Sequence, residues 1–171
     1  TSDSGFIVAG LIDAGDFGGY DVYLMKADSN GDYLWSKTYG GADWDFGYYV
    51  EETNDNGFII AGTTYSFGKA EQMYLIKTSA NGDTTWTKTF GGTGLENAKC
   101  VRQTTDGGYV LVGYTSTYGA GGKDIFIVKT NATGDSLWSK TYGTTANDEG
   151  TFADITSSNG IVVTGFLENY Q

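Results

Sequence analysis

The sequence of 171 residues contains no proline and no histidine, and it has only one cysteine and one arginine. Without histidine, catalysis by an imidazole group is excluded. The single arginine, together with a formal net charge of -11, leaves no basic stripe to neutralise phosphates. No apolar run approaches the roughly 20 residues that a membrane-spanning helix needs. We therefore expect neither a nucleic acid partner nor a membrane span.

The residues that are abundant favour strands and tight turns. Aromatic residues make up 15% of the chain and glycine occupies 27 positions, a combination typical of β-sheet proteins. One motif recurs three times, as "GDYLWSKTYGG" at 31–41, "GDTTWTKTFGG" at 82–92 and "GDSLWSKTYGT" at 134–144. The step between copies is 51 or 52 residues, a period typical of propeller blades or arrays and not of short-rung solenoids.

Each period contains four short segments with the composition of strands. In the best-covered copy they are 97–104, 108–115, 124–130 and 136–143, joined by glycine-containing turns such as "TTDGG" and "NATGD". Several segments are apolar on consecutive residues, so both of their faces must be covered. Four antiparallel strands per period, covered on both faces by neighbouring copies, predict an all-β fold built from β-propeller blades.

One tryptophan keeps step in every copy of the motif: Trp35, Trp86 and Trp138. A four-stranded sheet cannot bury both of its faces alone, so each blade needs the next one. We interpret the three tryptophans as structural residues that fill the gap between successive blades.

The lone cysteine, Cys100, cannot form an internal disulfide bond. Tyr49 and Phe152 stand at the equivalent positions of the other copies. We therefore interpret Cys100 as a small buried hydrophobic residue and not as a reactive thiol.

The pattern "D[IV]YL.KT...GD.LW.KTYGG", followed by "DGGY[IV].[AV]G", resembles the propeller repeats of large secreted bacterial proteins. More distantly, it is similar to the tryptophan-docked blades of the quinoprotein dehydrogenase superfamily. The resemblance covers the whole chain and implies a propeller fold and an extracellular or cell-surface location in a bacterium. It transfers no cofactor site, because the charged residues with which quinoprotein enzymes hold their cofactor and metal have no counterparts here.

The whole chain, residues 1–171, is interpreted as a single propeller segment. Its parts are a partial blade without the innermost strand, two whole blades, and the first two strands of a further blade: 1–40, 45–91, 96–143 and 148–171. These amount to about three and a quarter blades, and a closed ring needs at least roughly four. We expect the remainder of a longer polypeptide, or a second chain, to complete the ring. The longer polypeptide is favoured, because in a ring of two chains the segments 161–166 and 6–11 would compete for one place.

The loops at one end of the blades, taken as the top face, differ among copies, whereas the bottom turns are alike. Ligand specificity is therefore expected at the top face. Trp44, the one tryptophan outside the repeat, is a candidate platform for sugar rings or a partner protein. Four other aromatic residues in top-face loops join it in this hypothesis: Phe17, Tyr65, Phe67 and Tyr118. The alternative is that these rings are simply exposed or pack between loops.

Three carboxylates recur immediately before the innermost strand: Asp45, Glu96 and Asp148. Symmetry would place them around the mouth of a central channel, where they could hold a hard cation such as Ca²⁺. The alternative is that each one caps the backbone amides of its own turn. No other cofactor is indicated.

The sequence identifies no catalytic residue. Our first hypothesis is a noncatalytic extracellular module that binds a protein or a glycan through its top loops, or that acts as a scaffold spacing other domains. Because an Asp or Glu pair is the acid-base chemistry that remains, the alternative is a carboxylate-dependent glycan hydrolase or lyase. A further alternative is a structural array protein of a surface layer or filament.

Overall fold

A computed structural model describes residues 1–13 and 18–168 of the chain. These residues form thirteen β-strands, arranged in antiparallel sheets. None of them is helical, and so this part of the chain has no helix that could cross a membrane. The prediction of an all-β fold with four-stranded antiparallel sheets is confirmed.

The strands fall into four sheets in chain order. Sheet I comprises β1 (Phe6–Asp13), β2 (Tyr20–Ala27) and β3 (Tyr33–Tyr39). Sheet II comprises β4 (Asp45–Glu52), β5 (Phe58–Thr64), β6 (Gln72–Thr78) and β7 (Thr84–Phe90). Sheet III comprises β8 (Glu96–Gln103), β9 (Tyr109–Thr115), β10 (Asp124–Thr130) and β11 (Ser136–Tyr142). Sheet IV comprises β12 (Asp148–Ile155) and β13 (Ile161–Leu167).

Each sheet is a simple meander, because every strand pairs with its neighbour in the chain. The four strands expected in sheet III are observed to within one residue at each end. The first strands of sheets II, III and IV each contain a β-bulge at the same step. The bulges leave one residue of each strand outside the pairing register: Tyr48, Lys99 and Thr151.

The hydrophobic core lies between the sheets and not within any one of them. All residues of β5, β6 and β9 are buried, which explains why these strands are apolar on consecutive positions. The seam between sheets II and III is filled by branched, aromatic and sulfur-containing side chains, among them Ile59, Met73, Leu75, Val101 and Leu111. Sheets I and II meet over a similar cluster that includes Val22, Leu24 and Ile60.

A buried lysine closes the lower end of each of the first three sheets. Lys129 is 8% exposed, and its ammonium group lies 3.0 Å from Asp106 in the turn before β9 and 2.8 Å from the carbonyl oxygen of Thr130. The same arrangement recurs as Lys26 with Asp3 and Lys77 with Asp55. Each lysine and its aspartate belong to the same sheet unit, so the buried charge is compensated locally.

The repeated tryptophans lie at the seams between sheets. The ring of Trp35 is 6.1 Å from that of Phe58 in sheet II, and the ring of Trp86 is 5.8 Å from that of Tyr109 in sheet III. Trp138 differs, because 40% of it is exposed. The neighbouring sheet IV consists of β12 and β13 alone among the described residues. The outer side of Trp138 therefore has no further strand to cover it there.

Apolar side chains are also exposed on sheets I and IV, at the two ends of the stack. In sheet I, Phe6 is 55% and Val8 is 45% exposed, and in sheet IV Val162 is 51% exposed. Among the described strands, sheets I and IV share no hydrogen-bonded pair. These faces are therefore available for further sheet packing.

Cys100 is fully buried against sheet IV, where its thiol lies 3.8 Å from the carbonyl oxygen of Ala153. Burial raises the pKa of the thiol, which disfavours the reactive thiolate. The interpretation of Cys100 as a buried hydrophobic residue is confirmed.

Candidate functional site

Exposed aromatic rings gather around the loop between β3 and β4. Trp44 is 54% and Tyr65 is 41% exposed, and their ring centroids are 6.5 Å apart in an edge-to-face arrangement. The backbone amide of Tyr65 donates to the carbonyl oxygen of Trp44 at 2.8 Å, which fixes one loop against the other. Phe46 contacts both rings, at 6.3 Å, and Tyr20 lies 6.2 Å from Trp44. The structure thus brings two of the predicted platform residues together and adds two others.

A buried carboxylate lies beneath these rings. Glu71 is 7% exposed and accepts hydrogen bonds from the Tyr65 hydroxyl at 2.8 Å, the Asn97 side-chain amide at 3.2 Å and the Tyr114 hydroxyl at 3.4 Å. Burial, reinforced by the hydrogen bond to Glu71, raises the pKa of Tyr65 to about 12. Burial and the charge of Glu71 also raise the pKa of Tyr114. Both tyrosines therefore remain neutral hydrogen-bond donors at physiological pH.

Two lysines contact the tyrosine rings of this region. The ammonium group of Lys99 lies 4.7 Å from the ring centroid of Tyr48 and 5.8 Å from that of Tyr114. Lys123 lies 4.0 Å from the Tyr114 ring and 3.3 Å from the carboxylate of Glu149. Cation–π contacts of this kind hold an ammonium group beside a ring without fully neutralising it.

The contacts form a continuous circuit, because the ring of Phe46 stacks on that of Tyr48 with centroids 6.2 Å apart. We call this set the Glu71 cluster, and its members are Tyr20, Trp44, Phe46, Tyr48, Tyr65, Glu71, Asn97, Lys99, Tyr114 and Lys123. It presents exposed aromatic rings next to a carboxylate, an amide, hydroxyls and ammonium groups. Such a surface can stack on an apolar face of a ligand and hydrogen-bond to its edge.

Sequence reasoning missed Glu71, although a signal was present. Tyr20, Glu71 and Lys123 occupy the same step of the repeat, at the first residue of β2 and immediately before β6 and β10, and all three belong to the cluster. Three different side chains at one step of a regular repeat mark a position that the fold leaves free to vary.

Two further predicted platform residues lie elsewhere. The ring of Phe67 packs at 5.6 Å on Tyr74, and that of Tyr118 packs at 5.8 Å on Phe126, each within its own sheet unit. The Tyr118 hydroxyl donates to the carbonyl oxygen of Gly91 at 3.2 Å. Phe17, the remaining member of the hypothesis, lies outside the described residues.

The three recurring carboxylates each close their own loop. Asp45 accepts hydrogen bonds from the Gly41 amide at 2.8 Å and the Ser66 hydroxyl at 2.7 Å. Glu96 accepts from the amide of Gly92 at 2.9 Å, and Asp148 from that of Thr144 at 2.5 Å. All three are fully buried, and each performs the capping role that the sequence offered as an alternative. In residues 1–13 and 18–168, no group of three or more acidic or sulfur side chains is placed to hold a metal ion.

Each capping carboxylate has a polar neighbour from the preceding sheet. In the middle seam the Gln72 amide donates to Glu96 at 3.1 Å. At the corresponding place in the first seam stands Asp21, and a Cβ atom on Gly40 would collide with the carboxylates of both Asp21 and Asp45. Burial, together with the charge of Asp45, raises the pKa of Asp21. A proton on Asp21 would reproduce the donation that the glutamine amide supplies.

No protein-family model matches the chain, and no curated protein matches its sequence. Among solved structures, a protein of unknown function from Bacteroides caccae is similar, with a TM-score of 0.57 and 11% sequence identity. The match covers 92% of this chain and 51% of that protein, so this chain spans about half the length of its structural neighbour. The likeness shows the fold alone.

Proposed function

We propose that this chain is a noncatalytic β-propeller segment, with its sheets as blades, that binds a glycan at the Glu71 cluster. The observation that carries the proposal is the placement of exposed rings of Trp44, Tyr48 and Tyr65 around the buried carboxylate of Glu71. Sugars have apolar faces that stack on aromatic rings, and their hydroxyl groups donate to carboxylates and amides.

Glu71 retains hydrogen-bonding capacity for such a ligand. Its Oε1 atom accepts from Asn97 and Tyr114, whereas its Oε2 atom accepts from the Tyr65 hydroxyl. A carboxylate oxygen has two lone pairs, so Oε2 can accept one further bond. Lys99, which is half-buried and lies 5.8 Å from the ring centroid of Tyr114, would supply a hydrogen-bond donor.

Binding is favoured over hydrolysis because of how the acidic residues are used. Asp45 and Glu96 are fully buried and engaged in capping, and Glu71 already accepts three hydrogen bonds. A carboxylate that acts as a nucleophile or general base must reach the scissile bond or a water beside it. The structural array of a surface layer, our further alternative, would need no such cluster.

Trp44→Ala tests the proposal in a binding measurement against a panel of soluble glycans. Loss of one stacking ring should weaken the affinity for the bound glycan roughly tenfold, or about 1.4 kcal/mol. Tyr118→Ala is the matched control, because Tyr118 is 47% exposed but lies outside the cluster. Equal effects of the two substitutions would refute the site. Release of reducing sugar, abolished by Glu71→Gln, would favour the hydrolase instead.

We further propose that the segment is displayed outside a bacterial cell and that its ring is completed by the remainder of a longer polypeptide or by a second chain. Support comes from the apolar faces of sheets I and IV, which are exposed at both ends of the stack. The intact mass of the native polypeptide and its sedimentation would distinguish the two cases. A closed, monomeric ring of this chain alone would contradict both.

A further inference from the structure

The seams between sheets repeat one set of contacts. Trp35 packs against the turn between β6 and β7, where a Cβ atom placed on Gly82 would lie 2.7 Å from the indole ring. The neighbouring Lys37 pairs with Asp83 at 2.9 Å. In addition, the Tyr39 hydroxyl donates to the carbonyl oxygen of Gly82 at 2.6 Å. The turn that adjoins the first seam must therefore contain a glycine followed by an aspartate.

The second seam makes the same demand. A Cβ atom on Gly134, in the turn between β10 and β11, would lie 2.7 Å from the indole ring of Trp86. Lys88 pairs with Asp135 at 2.8 Å. Gly82 and Gly134 both have φ near +80°, at 78° and 79°, so glycine satisfies the turn and the close approach of the ring together.

The third seam, between sheets III and IV, has the tryptophan, lysine and tyrosine of this arrangement, but the described residues supply no glycine–aspartate turn to face them. Trp138 is 40% and Tyr142 is 57% exposed, and Lys140 makes no salt bridge within the part of the chain that the structure describes. Trp138 and Tyr142, together with Ile161 and Val163 of β13, line an open groove of about 360 Å³. Among the described strands β13 pairs with β12 alone, so the outer edge of β13 has no partner there.

We infer that this groove is a docking site for a β-hairpin whose first strand pairs with the free edge of β13 and whose turn reads glycine–aspartate. The glycine would lie against Trp138 and offer its carbonyl oxygen to Tyr142, and the aspartate would pair with Lys140. This inference rests on the proposed propeller arrangement, in which the hairpin is the outer half of a further blade. Strand addition to an exposed edge is an established mode of recognition.

A second copy of this chain does not fit the groove. Three of its hairpins have a glycine–aspartate turn, and those of sheets II and III are joined on their inner edges to β5 and β9. The hairpin of sheet I has the right turn, and a Cβ atom on Gly31 would meet nothing within 4 Å. Its inner edge, however, is already paired with β1 along the whole of β2. The occupant must instead bring a hairpin whose inner edge is free.

The test is to append a copy of residues 120–142 after Gln171 of the intact chain. Leu167 ends β13 as Thr115 ends β9, so this junction keeps the spacing of the repeat. The control extension carries asparagine at the position copied from Gly134. Asparagine tolerates positive φ, as Asn56 and Asn159 do in this chain, but its Cβ atom would collide with Trp138.

Fluorine NMR of protein labelled with 5-fluorotryptophan reports the solvent exposure of each indole. With the glycine extension, we expect the solvent isotope shift of Trp138 to fall to the value of Trp86. With the asparagine extension, it should stay at the value of the parent chain. An unchanged Trp138 signal, or equal protection by both extensions, overturns the inference. The inference is also overturned if the parent chain already protects Trp138 in a concentration-dependent dimer. None of these outcomes affects the Trp44 binding assay, so the two proposals can fail separately.

Discussion

Truncation of two of the three repeated tryptophans gives a quantitative test of how the sheets are held together. A large aromatic side chain buries roughly 150–250 Å², which corresponds to about 4–6 kcal/mol at roughly 25 cal/mol per Å². Trp86 is only partly buried, so we expect Trp86→Ala to cost about 3 kcal/mol of unfolding free energy. Trp138 is 40% exposed within the described part of the chain, so Trp138→Ala should cost about 1 kcal/mol.

The measurement is urea unfolding of both variants and the parent, followed by far-UV circular dichroism so that loss of an indole does not change the probe. The difference of about 2 kcal/mol between the two variants is the informative quantity, since the substitution is chemically identical. Equal costs would mean that the neighbouring sheet does not stabilise the tryptophan. Our account of the seams would then be wrong.

Three other predictions concern titratable groups. The pKa of Asp21 is raised in the folded state. The contribution of Asp21 to stability is therefore present below its unfolded pKa of 3.8 and is lost as the pH rises through the raised folded pKa. Asp21→Asn should accordingly raise the urea midpoint at pH 7 but not at pH 3. Hydrogen bonds from Thr104 and Gly108 and the ammonium group of Lys129 lower the pKa of Asp106 to about 2. The contribution of Asp106 to the free energy of unfolding is therefore present above pH 3.8 and should be lost between about pH 4 and pH 2. Asp106→Asn should remove this part of the pH dependence of stability. Cys100 should react with a thiol reagent only after unfolding, and rapid labelling of the folded chain would contradict its burial.

The sequence was sufficient for the strands because local and repeated signals agree. The alternation of apolar runs with turns such as "TTDGG" and "NATGD" located the strands of sheet III to within one residue. Some contacts between sheets could be predicted in the same way, because Trp35 and Trp86 recur at the same position of the repeat. Trp138 keeps step too, yet its exposure follows from what lies beside it, which a repeat pattern does not contain.

The candidate site was only partly predictable, for a physical reason. Trp44 and Tyr65 stood out as aromatic residues in variable loops, and the structure brings them together. Glu71 did not stand out, because its importance comes from Asn97 and Tyr114, which belong to the next sheet. A single carboxylate in a loop has no signature until packing between sheets supplies its partners.

The lysine–aspartate pairs that close the lower end of each sheet have an evolutionary consequence. Lys26, Lys77 and Lys129 find their counter-charges inside their own stretch of chain, so the most deeply buried cations place no demand on a neighbour. Tandem duplication or deletion of one whole sheet unit therefore leaves no buried ammonium group without its counter-charge. A chain built in this way can therefore gain or lose complete modules.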